Sequence, residues 1–247
     1  MRHVILRLLS ILLTFVIGVS FHAALRRAKQ HKLLTSIEQS AERGTIKWHV
    51  QRAMSKGERK VVLHPPLSCY ATFNNPKRAI AEAASFCSVM VAQVLGKRSS
   101  VWEDDREVVT WYKFRIIENL NNKSLPEGTL PKRVPSELLP LKADEFLLVR
   151  TGGTVEVDGV KVVGISGGVP DFSVSQQYLL FLQPATYNYP DPTGQTGTLP
   201  YGLRSIFTVG SDGDIEPVSQ EWHPLKDEIK SRHDHSLERL RTSLKNL

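Results

Sequence analysis

The stretch VVTWYKFRIIENL, residues 108–120, decides the fold class because it alternates along its length. Val108, Thr110, Tyr112, Phe114 and Ile116 share one face, while Val109, Trp111, Lys113, Arg115 and Ile117 share the other. Successive side chains of an extended strand point to opposite sides, so this pattern predicts a half-buried antiparallel strand with a core face and a wetter face. Trp111 falls on the wetter face.

Working outward, SFCSVMVAQVLG (85–96) reads as the preceding strand, ending at Gly96, with the acidic run Glu103, Asp104 and Asp105 as a solvated hairpin tip. After the central strand, the proline-bearing segment 121–143 reads as a loop, with SELLPL as a helical turn or bridge. EFLLVRTGG is the next strand, and TVEVDGVKVV is a hairpin in which Asp158-Gly159 supplies the two positive-φ residues of a type I′ turn. YLLFL (178–182) and RSIFTVGSDGDIEPV, turning around Ser211 to Gly213, complete the strand set. Short strands without long intervening helices predict an antiparallel barrel or sandwich and exclude a parallel α/β sheet.

Two helices punctuate this pattern. Asn75-Pro76 supplies a favoured cap and first position for a helix over Lys77–Ala84. From Pro224 to Leu247 the chain reads as one amphipathic helix, with Leu225, Ile229, Leu237, Leu240 and Leu244 as its apolar stripe. The expected fold is therefore mainly β: an antiparallel OB-like barrel or sandwich over residues 69–220, followed by a C-terminal helix over 221–247. A leader over 1–25 and a basic, partly helical arm over 26–68 precede it.

The formal charge of +7 is unevenly placed. Residues 1–60 hold 12 Lys and Arg against three acids (Glu38, Glu42 and Glu58), which leaves 20 basic and 22 acidic side chains for residues 61–247. A nearly neutral body lacks the phosphate-neutralising surface of a nucleic-acid binder, so no nucleic-acid partner is expected. In the arm, Leu33, Leu34, Ile37 and Ala41 recur at helical spacing before Gly44, and Ile46, Trp48, Val50 and Met54 follow. A basic amphipathic arm suits an anionic lipid surface, and a solvated stalk is the alternative.

Residues 8–25, LLSILLTFVIGVSFHAAL, carry no formal charge and are bracketed by Arg2 and Arg7 on one side and Arg26, Arg27, Lys29 and Lys32 on the other. Eighteen helical residues at about 1.5 Å each just cross a bilayer core, so the segment reads as a single-pass signal anchor or a signal peptide. Phe21 before Ala23, and His22 before Ala24, are poor cleavage contexts, which favours the uncleaved anchor. The larger basic cluster after the segment favours a cytoplasmic body, while the short positive N-terminus favours an exported, periplasmic or extracellular one. The exported body is the preferred expectation.

Cys69 and Cys87 stand 18 positions apart. A bond between them would stabilise by about 3 kcal/mol through loop entropy, and two buried thiols are the other reading. Neither belongs to a C-x-x-C motif.

The succession EAASFCSVMVAQV, VVTWYKFRIIENL, FLLVRTGGTVEVDG, YLLFL, FTVGSDGDI and a terminal SLERLRTSL resembles a group of bacterial exported proteins over about the last two-thirds of the chain. The strand plan is also distantly similar to the netrin-like domain of tissue metalloproteinase inhibitors, which implies an OB-type barrel. This sequence lacks that family's dense cysteine framework, and Cys69 is internal where those inhibitors present an N-terminal cysteine. Their inhibitory mechanism is not carried over.

Chemistry-bearing motifs are sparse. The eight histidines form neither H-E-x-x-H nor a cluster with Cys at ligand spacing, so no metal is expected. Gly152-Gly153 and Gly167-Gly168 lack the lysine and helix of a phosphate loop and read as turns or bulges, so no cofactor is expected either. Asp212 and Asp214 miss Ca²⁺-loop spacing, and Ser166 misses the nucleophile elbow by one position. The segment PATYNYPDPTGQTGTLPYG (184–202) sets Tyr187, Tyr189 and Tyr201 among Pro, Gly, Asn and Thr, a recognition-loop composition. These tyrosines, with Trp111, are the candidate ligand-binding residues for an unidentified protein or glycan. The expected function is a membrane-anchored, exported, non-catalytic binding or structural module of the cell envelope. The alternatives are a hydrolase with a site dispersed in sequence, or a cytoplasm-facing membrane-surface protein.

Overall fold

A computed structural model describes residues 41–64, 78–125, 133–165, 171–183, 189–190, 196–197, 202–218 and 224–246. The leader at 8–25, Asn75-Pro76, Cys69, Tyr187 and Tyr201 lie outside the described residues. Among the described residues, no helix is long and apolar enough to cross a membrane.

The chain divides into two compact units, one of residues 1–61 with 156–161 and one of residues 62–155 with 162–247. In the first, Gly44 takes φ +87° and Thr45 then caps the helix α1 (Ile46–Ser55), its hydroxyl accepting from Trp48 N–H at 3.3 Å. Ile46, Val50 and Ala53 are buried at helical spacing, and Trp48 is buried with Arg52 stacked on its ring. The strand β1 (Lys60–Leu63) closes the segment that the sequence marks only as a basic arm.

The order along the rest of the chain is α2 (Ala79–Phe86), β2 (Ser88–Val101), β3 (Val108–Asn119), a 3₁₀ turn (Ser136–Leu138), β4 (Glu145–Thr151), β5 (Gly153–Val157) and β6 (Val160–Gly164). There follow β7 (Gln177–Gln183), β8 (Tyr189–Pro190), β9 (Thr196–Gly197), β10 (Gly202–Val209), β11 (Ile215–Pro217), α3 (Pro224–His233) and α4 (Leu237–Lys245). Six strands form one sheet in the order β11-β10-β7-β2-β3-β4, with every described pairing antiparallel. A three-stranded sheet has the order β1-β6-β5, turning at Asp158 and Gly159 with φ +50° and +74° as the type I′ reading requires.

The structure corrects the barrel. The six-stranded sheet is open, with β4 and the three-residue β11 at its two edges rather than paired with each other. Alternation specifies strands and their faces, but closure needs a consistent tilt and stagger around the whole sheet, which no local pattern encodes. The strand expected to stop at Gly96 runs on to Val101, because the register shift between Val94 and Gly96 absorbs one residue as a bulge.

Both sheet faces are buried. On one, Val89, Val91, Leu179, Phe181, Phe207 and Val209 pack against α2, α3 and α4. The predicted single C-terminal helix is two helices, because Asp234 and His235 take φ of +48° and +56° and interrupt the helix. All five stripe residues are nevertheless buried. The opposite face carries Tyr112, Phe114, Phe146 and Tyr178, into which Phe172 inserts from the segment 171–176 with edge-on rings 4.8–5.2 Å away. Tyr112 Oη donates to Asp171 at 2.9 Å, and burial pushes the phenol pKa up.

Candidate functional site

Trp111 is 1% exposed, so the wetter-face expectation is overturned. Val109, Trp111 and Leu147 pack with Trp102 and Leu138, the latter from the 3₁₀ turn in the proline-bearing segment. Trp111 stacks on Trp102 at 5.7 Å, and its indole N–H donates to Ser100 Oγ at 2.9 Å. Farther along the same face the strand turns polar, as the sequence indicates. Lys113 meets the buried Glu145 carboxylate at 2.9 Å and holds its pKa below the usual carboxylate range, helped by the Lys142 N–H. Trp111 is therefore a core residue that supports the sheet, and it presents no ring to a ligand.

Tyr189 lies in the two-residue ladder of β8 with β9, opposite Gly197. The structure does not bring it together with Trp111 in any described contact. Cys87 is fully buried at the end of α2. Asn121 clips the start of β2 by accepting from Val89 N–H at 3.0 Å and donating to Cys87 O at 2.9 Å. Among the described residues, no group of three or more His, Cys, Asp or Glu side chains is placed to hold a metal.

A cleft of about 200 Å³ lies in the second unit where the start of β3, the end of β4, and the ends of β1 and β6 converge. Leu63, Val108 and Ile165 give it an apolar lining, and His64, Arg106 and Glu107 bring ionisable groups to it. Its shape depends on close backbone approach. A Cβ on Gly164 would lie 3.0 Å from Val108 Cβ and 3.2 Å from Gly152 Cα, tighter than ordinary packing. Gly152 sits at φ +96°, donates to Val108 O at 2.8 Å, and accepts from Thr110 Oγ1 at 2.8 Å. Thr110 Oγ1 in turn lies 2.9 Å from Ser99 Oγ. This buried chain of hydrogen bonds fixes the point where β4 gives way to β5, so the cleft rests on ordered backbone. Ile165 N–H donates to Leu63 O at 2.9 Å and ties its other side.

Glu107 is the electrostatically distinctive member. Burial pushes its carboxyl pKa above the usual range, and Asp104 adds to the rise. No described hydrogen bond or ion pair compensates the carboxylate. The sequence pattern does not single this residue out, because Glu103 to Asp105 read as a solvated tip and Glu107 follows that run by two positions. Gly152-Gly153 was the available signal: a glycine pair after a strand marks close backbone approach as well as a turn.

Comparison with protein-family models, with curated proteins and with solved structures finds no match for this chain.

Proposed function

We propose that the protein is an exported, membrane-anchored module of the cell envelope that binds rather than transforms its ligand. The 18 uncharged residues from Leu8 to Leu25, bracketed by arginines and lysines, carry this reading. They act as an uncleaved single-pass anchor, and the basic region to Lys60 lies against anionic lipid. The nearly neutral body beyond it supports a free-standing module, and its cleft supplies a place for a ligand.

A reporter that works on only one side of the membrane, fused after Leu247, tests the reading. The expected result is activity on the exported side, with the fusion in the membrane fraction. Activity confined to the cytoplasm refutes export, and a soluble fusion of full length refutes the anchor.

A further inference from the structure

We propose that α1 and the chain just after it form an electrostatic docking surface for an anionic bilayer, with Met54 entering the acyl boundary and Arg43, Lys47, Lys56, Arg59 and Lys60 meeting lipid phosphates. The inference rests on the anchored-module reading and deepens it by naming the groups that touch lipid and by making that contact reversible and separate from the anchor.

Three observations carry it. First, the cations of this unit are uncompensated. All five are exposed, and among the described residues none of them forms an ion pair. In the other unit eight Lys and Arg side chains pair with a carboxylate, Lys97, Arg115 and Arg241 among them. Residues 41–60 hold six Lys and Arg against Glu42 and Glu58, so the segment has an excess of one sign. Its attraction to an anionic bilayer grows with each cation.

Second, the outer side of the helix mixes charge with an exposed apolar group, as an interfacial helix requires. Ile46, Val50 and Ala53 turn one stripe of α1 inward, and Lys47, Gln51 and Met54 form the adjoining stripe. Met54 is 52% exposed, and its unbranched side chain can extend into an acyl layer. Gly57 takes φ +75° and donates to Met54 O at 3.0 Å, while Glu58 N–H donates to Ala53 O at 2.9 Å. That turn closes the helix, so Lys56, Arg59 and Lys60 leave from the end that carries Met54.

Third, reach selects the partner. Residues 26–42 separate the anchor from Arg43, and a fully extended chain of that length spans at most about 60 Å. The basic surface therefore stays close to the bilayer, and tethering raises the effective concentration of lipid above that of any soluble polyanion.

The test is oxidation of Met54 by hydrogen peroxide, read by mass spectrometry, in the full chain added to vesicles of phosphatidylcholine alone or of an equimolar mixture with phosphatidylglycerol. Met90, which is 0% exposed, reports whether the fold stays closed. The mixture is expected to slow Met54 oxidation about fivefold relative to phosphatidylcholine, and about 1 M salt, with a Debye length near 3 Å, to abolish the difference. Lys47→Glu combined with Lys56→Glu is expected to lose the protection at low salt while Met90 stays protected, since both lysines are exposed.

Equal Met54 oxidation on the two vesicles, protection that survives high salt, unchanged protection in the double variant, or equal protection by polyuridylate RNA beside phosphatidylcholine would each overturn the inference. Flotation separates this result from the anchor. A chain that floats with phosphatidylcholine alone and shows equal oxidation keeps the anchor and loses the docking surface. One that floats only with the anionic mixture and shields Met54 loses the anchor and keeps the docking surface.

Discussion

Replacing Glu228 by alanine removes the carboxylate that accepts the Ile80 N–H at 2.8 Å across 148 residues of sequence. The helix α2 needs that acceptor. Its cap position is Arg78, which makes no side-chain capping bond, and a helix of eight residues has little intrinsic stability. Glu228 is 6% exposed and reaches from α3 to the second residue of α2, doing for that helix what a local Ser or Asp does elsewhere. Arg232 lies 3.3 Å from its other oxygen. Leaving a buried N–H unsatisfied costs about 1–3 kcal/mol, and losing a negative charge at a helix N-terminus costs about 0.3–1 kcal/mol. The sum for Glu228→Ala is about 1–4 kcal/mol, or a melting temperature lower by about 3–16 °C in a chain of this size. Glu228→Gln retains an acceptor and should lose only about 0.5–1 kcal/mol. Arg232→Ala tests the exposed partner and should cost less than about 1 kcal/mol. Thermal unfolding of the full chain followed by circular dichroism gives all three. The reasoning fails if the alanine variant melts within about 2 °C of the parent, a difference too small for a lost buried hydrogen bond, or if glutamine and alanine are equally damaging.

Trp111→Ala should destabilise by about 3–5 kcal/mol in urea unfolding, since it empties a core site beneath the 3₁₀ turn; a loss below about 1 kcal/mol would contradict its burial. Gly153→Ala should cost about 2 kcal/mol or more, because φ is +128° and the new Cβ would collide with Thr110 Oγ1 and lie 2.5 Å from Ser99 Oγ; normal stability would show that the β4–β5 junction can relax. Glu145 has the opposite pH signature to Glu107. Its carboxyl pKa is lowered in the fold, so its contribution is present above the unfolded value near 4.3 and disappears as pH falls through the lowered folded value. The stability gap between the parent and Glu145→Gln should therefore narrow on acidification, and a gap that stays constant to pH 2 would refute the Lys113 pairing. For Glu107 the pKa is raised, so its ionisation penalty appears as pH rises through the folded value. Glu107→Gln should gain on the parent at neutral pH and lose that advantage below about pH 4.

Local patterns in the sequence determined the strands of the six-stranded sheet, the Asp158-Gly159 hairpin, and the membership of the C-terminal stripe. Each depends on residues within a few positions of one another: alternation of period two, two positive-φ residues between β-branched flanks, or apolar residues on one helical face. Tertiary structure alone decided whether the sheet closed, which segment covered each face, and where charge was stranded. Trp111 and Lys113 share a face and differ by only two positions, yet one lies beneath Leu138 and the other faces Glu145. Glu228 caps a helix it never approaches in sequence, and Glu107 becomes unusual because Gly152 and Gly164 bring distant backbone beside Val108. Burial and electrostatics are sums over neighbours in space, and those neighbours come from segments whose docking the periodicity of a single strand does not encode.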